Sequence, residues 1–253
     1  MTGLLETVEE LARLTGAVAA SSFRTRLAVE RKADGSPVSA ADREAETAAR
    51  RWIGERFPED GISGEEFGVT AGGARRRWVI DPIDGTISFL AGVPLYSTLI
   101  AVAEGEDVLA GAIYCPSLNE LAVAARGEGC WWNGGRCQVS GVGALAGALV
   151  LTTDPAFRAA PACRPGWERL SQGSRDVRTW GDGFGYLMVA TGRAEVMVDG
   201  VVHPWDAAAP RVVVEEAGGV FTDWAGCSQG PGTSAVATNL KLGAEVRRVL
   251  AQS

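Results

Sequence analysis

The sequence predicts an α+β protein in which helices and sheets stack in layers. Three observations lead there. Helix-like and strand-like patterns alternate irregularly along the 253 residues. Two strand-like runs, at 108–114 and 120–125, lie close enough to pair antiparallel. Neither an internal repeat nor a long linker divides the chain, so residues 1–253 read as a single unit with approximate lobes 1–140 and 141–253. Regular βα alternation would instead have indicated a Rossmann sheet or a barrel.

Taken in order, Leu4, Leu5, Val8, Leu11, Leu14 and Val18 fall at helical spacing and predict an opening amphipathic helix. A loop containing Lys32, Asp34, Gly35, Ser36 and Pro37 follows. Ser39 then caps a helix from Ala40 to about Phe57, with Asp42 as its capping-box partner and Pro58 as the stop. Trp78–Ile80 and Leu95–Ala103 read as strands. Val108–Tyr114 and Glu120–Ala125 pair through a turn at Cys115–Asn119. Ala148–Thr152, Val177–Trp180 and Ala194–Val198 are short strands, with a helix at Phe184–Thr191 between the last two. A helix over Ala207–Ala217 is ended by Gly218–Gly219. Strands at Val220–Asp223 and Thr233–Thr238 and a helix at Leu240–Ala251 close the chain.

Composition narrows the function. A chain that is 46% hydrophobic and 22% charged can bury a sizeable core. The 33 glycines have no period and read as tight turns. A net charge of −7 without a basic run argues against nucleic acid as a partner. No apolar run reaches the ~20 residues that span a bilayer, and the N-terminus lacks a basic segment of the signal-peptide kind. A cytoplasmic, soluble protein is expected. Five cysteines without a CxxC pair argue against a zinc site or a disulfide framework. One histidine, His203, leaves little for a zinc hydrolase or a Ser-His-Asp enzyme.

Three acidic clusters remain. Glu65 and Glu66 are flanked by Gly64 and Gly68, and are either solvated loop charges or ligands. Asp81 and Asp84 stand in the turn DPIDGT with Thr86, between two apolar runs; this is either a structural turn or a cradle for a hard cation and a phosphate. Asp206, after Pro204 and Trp205, is either a helix cap or a third carboxylate. Together, Glu65, Asp81, Asp84 and Asp206 with Thr86 supply what a pair of Mg²⁺ ions needs to activate water for in-line phosphoryl displacement.

The chain resembles the Mg²⁺-dependent, lithium-sensitive inositol-monophosphatase-like phosphatases. SPVSAAD (36–42), GEEFG (64–68), WVIDPIDGTISF (78–89), VATGRAEVMVDG (189–200), PWDAAA (204–209) and VEEAGGVFTDWAG (214–226) carry the resemblance in the family's order. It implies an αβαβα sandwich, a homodimer, a small phosphorylated metabolite as substrate, and two to three Mg²⁺ ions with inhibition by Li⁺. By resemblance, Glu65, Asp81 and the Ile83 carbonyl hold the first ion. Asp81, Asp84 and Asp206 hold the second, and Asp42 lies near a weaker third. Glu65 and Thr86 orient and deprotonate the water, and the Gly85 and Thr86 amides hold the phosphate. Water attacks phosphorus directly, without a covalent intermediate.

The same resemblance bears on the substrate. Ser88, where the inositol branch has Asn, and Asp182 in Trp180-Gly181-Asp182 are similar to the histidinol-phosphate phosphatase branch, while Ile87 departs from the basic residue often found there. Asp199 matches the position that contacts the substrate body. Histidinol phosphate is therefore expected ahead of inositol 1-phosphate, because an ammonium and an imidazole pair with carboxylates such as Asp182 and Asp199. A catalytically inactive relative that binds phosphorylated ligands is the alternative from another class. The two-metal scheme asks nothing of His203.

Overall fold

The computed structural model describes residues 3–25, 29–31, 37–228 and 233–251. In chain order the elements are α1 (Leu4–Ser21), β1 (Val29–Arg31), β2 (Pro37–Ser39), α2 (Ala40–Arg56), β3 (Gly61–Gly64), β4 (Gly68–Thr70), β5 (Arg76–Asp84), α3 (Thr86–Leu90), β6 (Ser97–Glu104), β7 (Asp107–Cys115), β8 (Glu120–Ala125), β9 (Gly129–Trp132), β10 (Gly135–Cys137), β11 (Leu149–Leu151), α4 (Arg164–Gly173), β12 (Asp176–Arg178), α5 (Asp182–Ala190), β13 (Val196–Asp199), α6 (Pro204–Glu216), β14 (Val220–Thr222), β15 (Ala235–Thr238) and α7 (Gly243–Ala251).

Eight strands form one sheet in the order β10-β9-β8-β7-β6-β5-β3-β4, and five form a second in the order β12-β11-β13-β15-β14. Helices α1 and α2 cover the outer face of the large sheet, α5 and α6 fill the space between the sheets, and α4 and α7 pack together beyond the small sheet. The layers therefore run αβαβα.

Strand pleating sorts side chains between those layers, because successive residues point to opposite faces. On β5, Trp78 and Ile80 join Val8 and Leu11 of α1 and Trp52 and Ile53 of α2 in one core. Val79 points the other way, into a middle core with Leu187 of α5, Val213 of α6 and Met197 of β13. Val196 and Val198 of β13 belong instead to the outer core with Leu170 and Val246. Each such buried side chain contributes roughly 1.5–3 kcal/mol. By the same parity Asp81, two residues after Val79, and Asp199, two after Met197, face the middle layer from opposite sheets.

The opening helix, the capped second helix and the β7–β8 hairpin agree with the sequence. Ser39 Oγ accepts the Ala41 N–H at 3.2 Å, and Asp42 Oδ2 accepts the Ser39 N–H at 2.8 Å. The sequence did not lead to β3, β4, β9, β10 or α4. The strands are three or four residues long and rich in Gly, and α4 carries Pro and Gly in its first turn. Strand β5 is longer than the Trp78–Ile80 expected, because its polar ends extend the pairing with β6. Helix α6 begins at Pro204 rather than Ala207, since proline fits a first helical turn. Lys32, Asp34, Gly35 and Ser36 lie outside the described residues, and Pro37, expected in the same loop, instead opens strand β2, paired antiparallel with β1. Among the described residues, no helix is long and apolar enough to cross a membrane.

Candidate active site

The acids converge where β5 ends. Asp81 Oδ1 accepts the Ile83 N–H at 3.1 Å, turning the chain on itself. Pairing with β6 is irregular between Asp81 and Asp84, the kind of bulge that re-aims side chains. Gly85 then takes a left-handed conformation (φ +82°), which glycine adopts without strain, and α3 begins at Thr86. From the far side comes α6, whose third residue is Asp206; its Oδ2 accepts the His203 N–H at 2.7 Å. One carboxylate oxygen each from Asp81, Asp84 and Asp206 lies within 4.8 Å of the others. Glu65, on the turn between β3 and β4, donates its N–H to the Ile80 carbonyl at 3.1 Å and brings its carboxyl within hydrogen-bonding reach of Asp81.

Without a cation this cluster resists ionisation. Burial pushes the Asp84 carboxyl up to about 7, and the charge of Asp206 adds to it, against the pull of bonds from Ser97 and Gly183. Burial likewise pushes Asp206 up to about 7. Asp81 is driven well above the carboxylate range by burial and by its neighbours Glu65, Asp84 and Asp206. Among the described residues, no ion pair includes Asp81, Asp84 or Asp206. Buried carboxylates in contact are costly unless a cation compensates them. An oxygen-only donor set is the choice of hard divalent ions such as Mg²⁺. The residues present fit such an ion.

The other expected site residues surround this centre. The Thr86 hydroxyl donates to the Ile83 carbonyl at 3.1 Å, which leaves the Thr86 oxygen lone pairs for another donor. The first N–H groups of α3 have no partner within that helix. Asp42 is buried and bonded to Ser39 as the cap of α2, and it feels the charge of Glu65. A cavity of about 160 Å³ opens beside Asp84 and Asp206. Thr152, Thr153, Asp154, Asp182, Tyr186 and Asp199 lie on its polar side, with Phe157, Ala160 and Val201 among the apolar lining. Asp199 accepts the Tyr186 hydroxyl at 2.8 Å and the Thr153 N–H at 3.1 Å. Asp182 has φ +53°, an uncommon conformation for a non-glycine residue, and burial raises its carboxyl well above the usual range. Its carboxylate stands against Gly85. Ser88 lines a neighbouring hollow with Gly85, Thr86 and Asp182. His203 caps α6 and stacks on Trp205, with ring centroids 5.0 Å apart.

Four supporting residues escaped the sequence. Ser97 Oγ (2.7 Å) and the Gly183 N–H both donate to Asp84 Oδ2 and so fix that carboxylate. Thr153 and Tyr186 do the same for Asp199. Their bonds to Asp84 and Asp199 span 13 to 99 residues, and no local pattern marks them.

The family model described as "Inositol monophosphatase family" matches residues 1–253. The chain belongs to the inositol monophosphatase family. As a phosphatase of that family, it is 43% identical over 227 residues to a protein of Chlorobaculum parvum named histidinol-phosphatase, covering 89% of this chain and 88% of the relative. It is 37% identical over 225 residues to the Mycobacterium tuberculosis protein of the same name, covering 87% and 86%. A solved structure of Thermotoga maritima IMPase superposes with a TM-score of 0.87 at 31% identity, covering 97% of this chain and 96% of that one. That architecture is the layered α+β fold described above.

Proposed function

We propose that the protein hydrolyses histidinol phosphate to histidinol and phosphate, with Mg²⁺ held by Glu65, Asp81, the Ile83 carbonyl, Asp84 and Asp206. The observation that carries this reading is the Asp81–Asp84–Asp206 cluster, buried at Asp81 and Asp84 and half-buried at Asp206, beside a cavity lined by three more acids, Asp154, Asp182 and Asp199. Bound there, Mg²⁺ supplies positive charge for the phosphoryl oxygens and acidifies water. Glu65 would accept a proton from the attacking water, while the Thr86 hydroxyl oxygen accepts a hydrogen bond from that water and sets its line of approach to phosphorus. The Gly85 and Thr86 N–H groups donate to the phosphoryl oxygens, as helix-start amides do for anions. Asp42, within electrostatic reach of Glu65, would help to hold a weaker third ion.

Substrate choice follows from the cavity walls and the names of relatives. An ammonium matches Asp182 and Asp199, and an imidazole matches the lining of Phe157, Ala160 and Val201. Ser88 lines the neighbouring hollow that shares Asp182 with this cavity. The two relatives named histidinol-phosphatase support this choice. The likeness to Thermotoga maritima IMPase supports inositol 1-phosphate as the second reading. Initial rates on both esters with Mg²⁺, compared as kcat/KM, decide between them. The proposal expects histidinol phosphate to lead by at least an order of magnitude, and an equal lead for inositol 1-phosphate overturns it.

A further inference from the structure

Strand β5 and helix α6 fix three of the four central carboxylates, but Glu65 rides on a turn between two short strands. We propose that Glu46 of α2 is the positioning residue that sets Glu65 in place for cation binding. The inference rests on the reading of Glu65 given above. Glu46 is fully buried. Its Oε2 accepts the Glu66 N–H at 2.7 Å, and its Oε1 accepts the Phe67 N–H at 3.3 Å and Arg50 Nε at 2.7 Å. Those two amides immediately follow Glu65 in the chain.

The grip extends along the hairpin. Arg50 also donates to Thr70 Oγ1 at 2.9 Å and to the Gly68 carbonyl at 2.5 Å, so one ion pair holds the turn and the strand that leaves it. On the other side the Glu65 N–H bonds to Ile80 of β5, the strand that carries Asp81. Glu65 is thus strung between α2 and β5. Gly64 makes the approach possible, because a Cβ built there would overlap the Glu46 carboxylate. This gives the first glycine of GEEFG a role that neither a solvated loop nor a ligand set explains.

A residue that acts through Glu65 changes cation affinity before it changes the maximal rate. Glu46→Gln and Arg50→Lys are measured together, so that loss of folding in one leaves the other to decide. Mg²⁺ affinity is read by calorimetry on chelator-stripped protein, and the Mg²⁺ activation constant is read separately from the KM of the ester. The expected result is an affinity for Mg²⁺ weakened about tenfold or more, as for partners that orient metal ligands, with kcat at saturating Mg²⁺ within about threefold of wild type. Folded variants with a lowered Tm and unchanged Mg²⁺ affinity would overturn the inference, since Glu46 would then only stabilise the fold. Glu65→Gln separates the two levels: wild-type turnover in that variant means that the reading of Glu65 itself has failed.

Discussion

Gly183→Ala tests the geometry of the site most sharply, because alanine favours a helix and every cost must come from the site. The Gly183 N–H donates to Asp84 Oδ2. A Cβ at position 183 would stand 2.7 Å from that same oxygen and 2.8 Å from Leu99 Cδ2, and would overlap Ser97 Oγ. Relief requires Asp84 to shift by about 0.8 Å, given contact distances near 3.5 Å. Overpacking of this kind costs about 1–3 kcal/mol. At about 2–4 °C per kcal/mol for a domain of this size, Tm falls by roughly 2–12 °C. Displacing a reactive centre by ~1 Å costs on the order of 10²-fold, so a loss of at least ~10-fold in kcat/KM is expected, together with a raised Mg²⁺ requirement. Differential scanning fluorimetry and phosphate release across a Mg²⁺ titration read both effects. Wild-type turnover and Mg²⁺ dependence in a folded Gly183→Ala protein would refute the argument that α5 holds Asp84 in place.

Two further predictions concern the same cluster. Asp84→Asn and Thr86→Ala should each leave a folded protein whose phosphate release is reduced by at least ~10²-fold; circular dichroism checks the fold and a phosphate assay the rate, and near-wild-type turnover in either contradicts the assigned role. The pH dependence has a definite sign. Asp84 and Asp206 are raised to about 7 in the cation-free fold, against ~3.9 in an unfolded chain. The folded state therefore keeps protons that the unfolded chain gives up, and its stability falls as pH rises from about 4 to about 7. Chelator-treated protein should lose Tm between pH 5 and 7.5. Added Mg²⁺, which competes with those protons, should raise Tm more at pH 7.5 than at pH 5.5. A Mg²⁺-induced shift independent of pH would count against the cluster as the binding site.

How much of this could be read from the sequence depended on distance along the chain. Ser39 with Asp42, three apart, announced a capped helix, and Asp81 with Asp84 and Gly85 announced a turn that places acids together. Local periodicity also identified α1 and the β7–β8 hairpin. Strands β3 and β4 were not legible, since Gly61–Gly64 and Gly68–Thr70 show no alternation; β3 owes its conformation to β5 alongside, and β4 to β3. The bond from Gly183 to Asp84 crosses 99 residues, so nothing near either one predicts it. The positive φ of Asp182 is likewise imposed by its surroundings and has no signature in the letters Trp180-Gly181-Asp182. The roles of Glu65, Asp206 and Asp42 came from resemblance to a family, and the structure adds where their carboxyls stand.

The central claim is that divalent cations occupy the space among Asp81, Asp84, Asp206 and Glu65. Anomalous diffraction from crystals soaked in Mn²⁺, a hard ion that accepts the same ligands as Mg²⁺, tests it directly. The account predicts anomalous peaks about 2.0–2.3 Å from carboxylate oxygens of Asp81, Asp84 and Asp206, with one peak also contacting Glu65. Strong peaks elsewhere and none among these four carboxylates would contradict it.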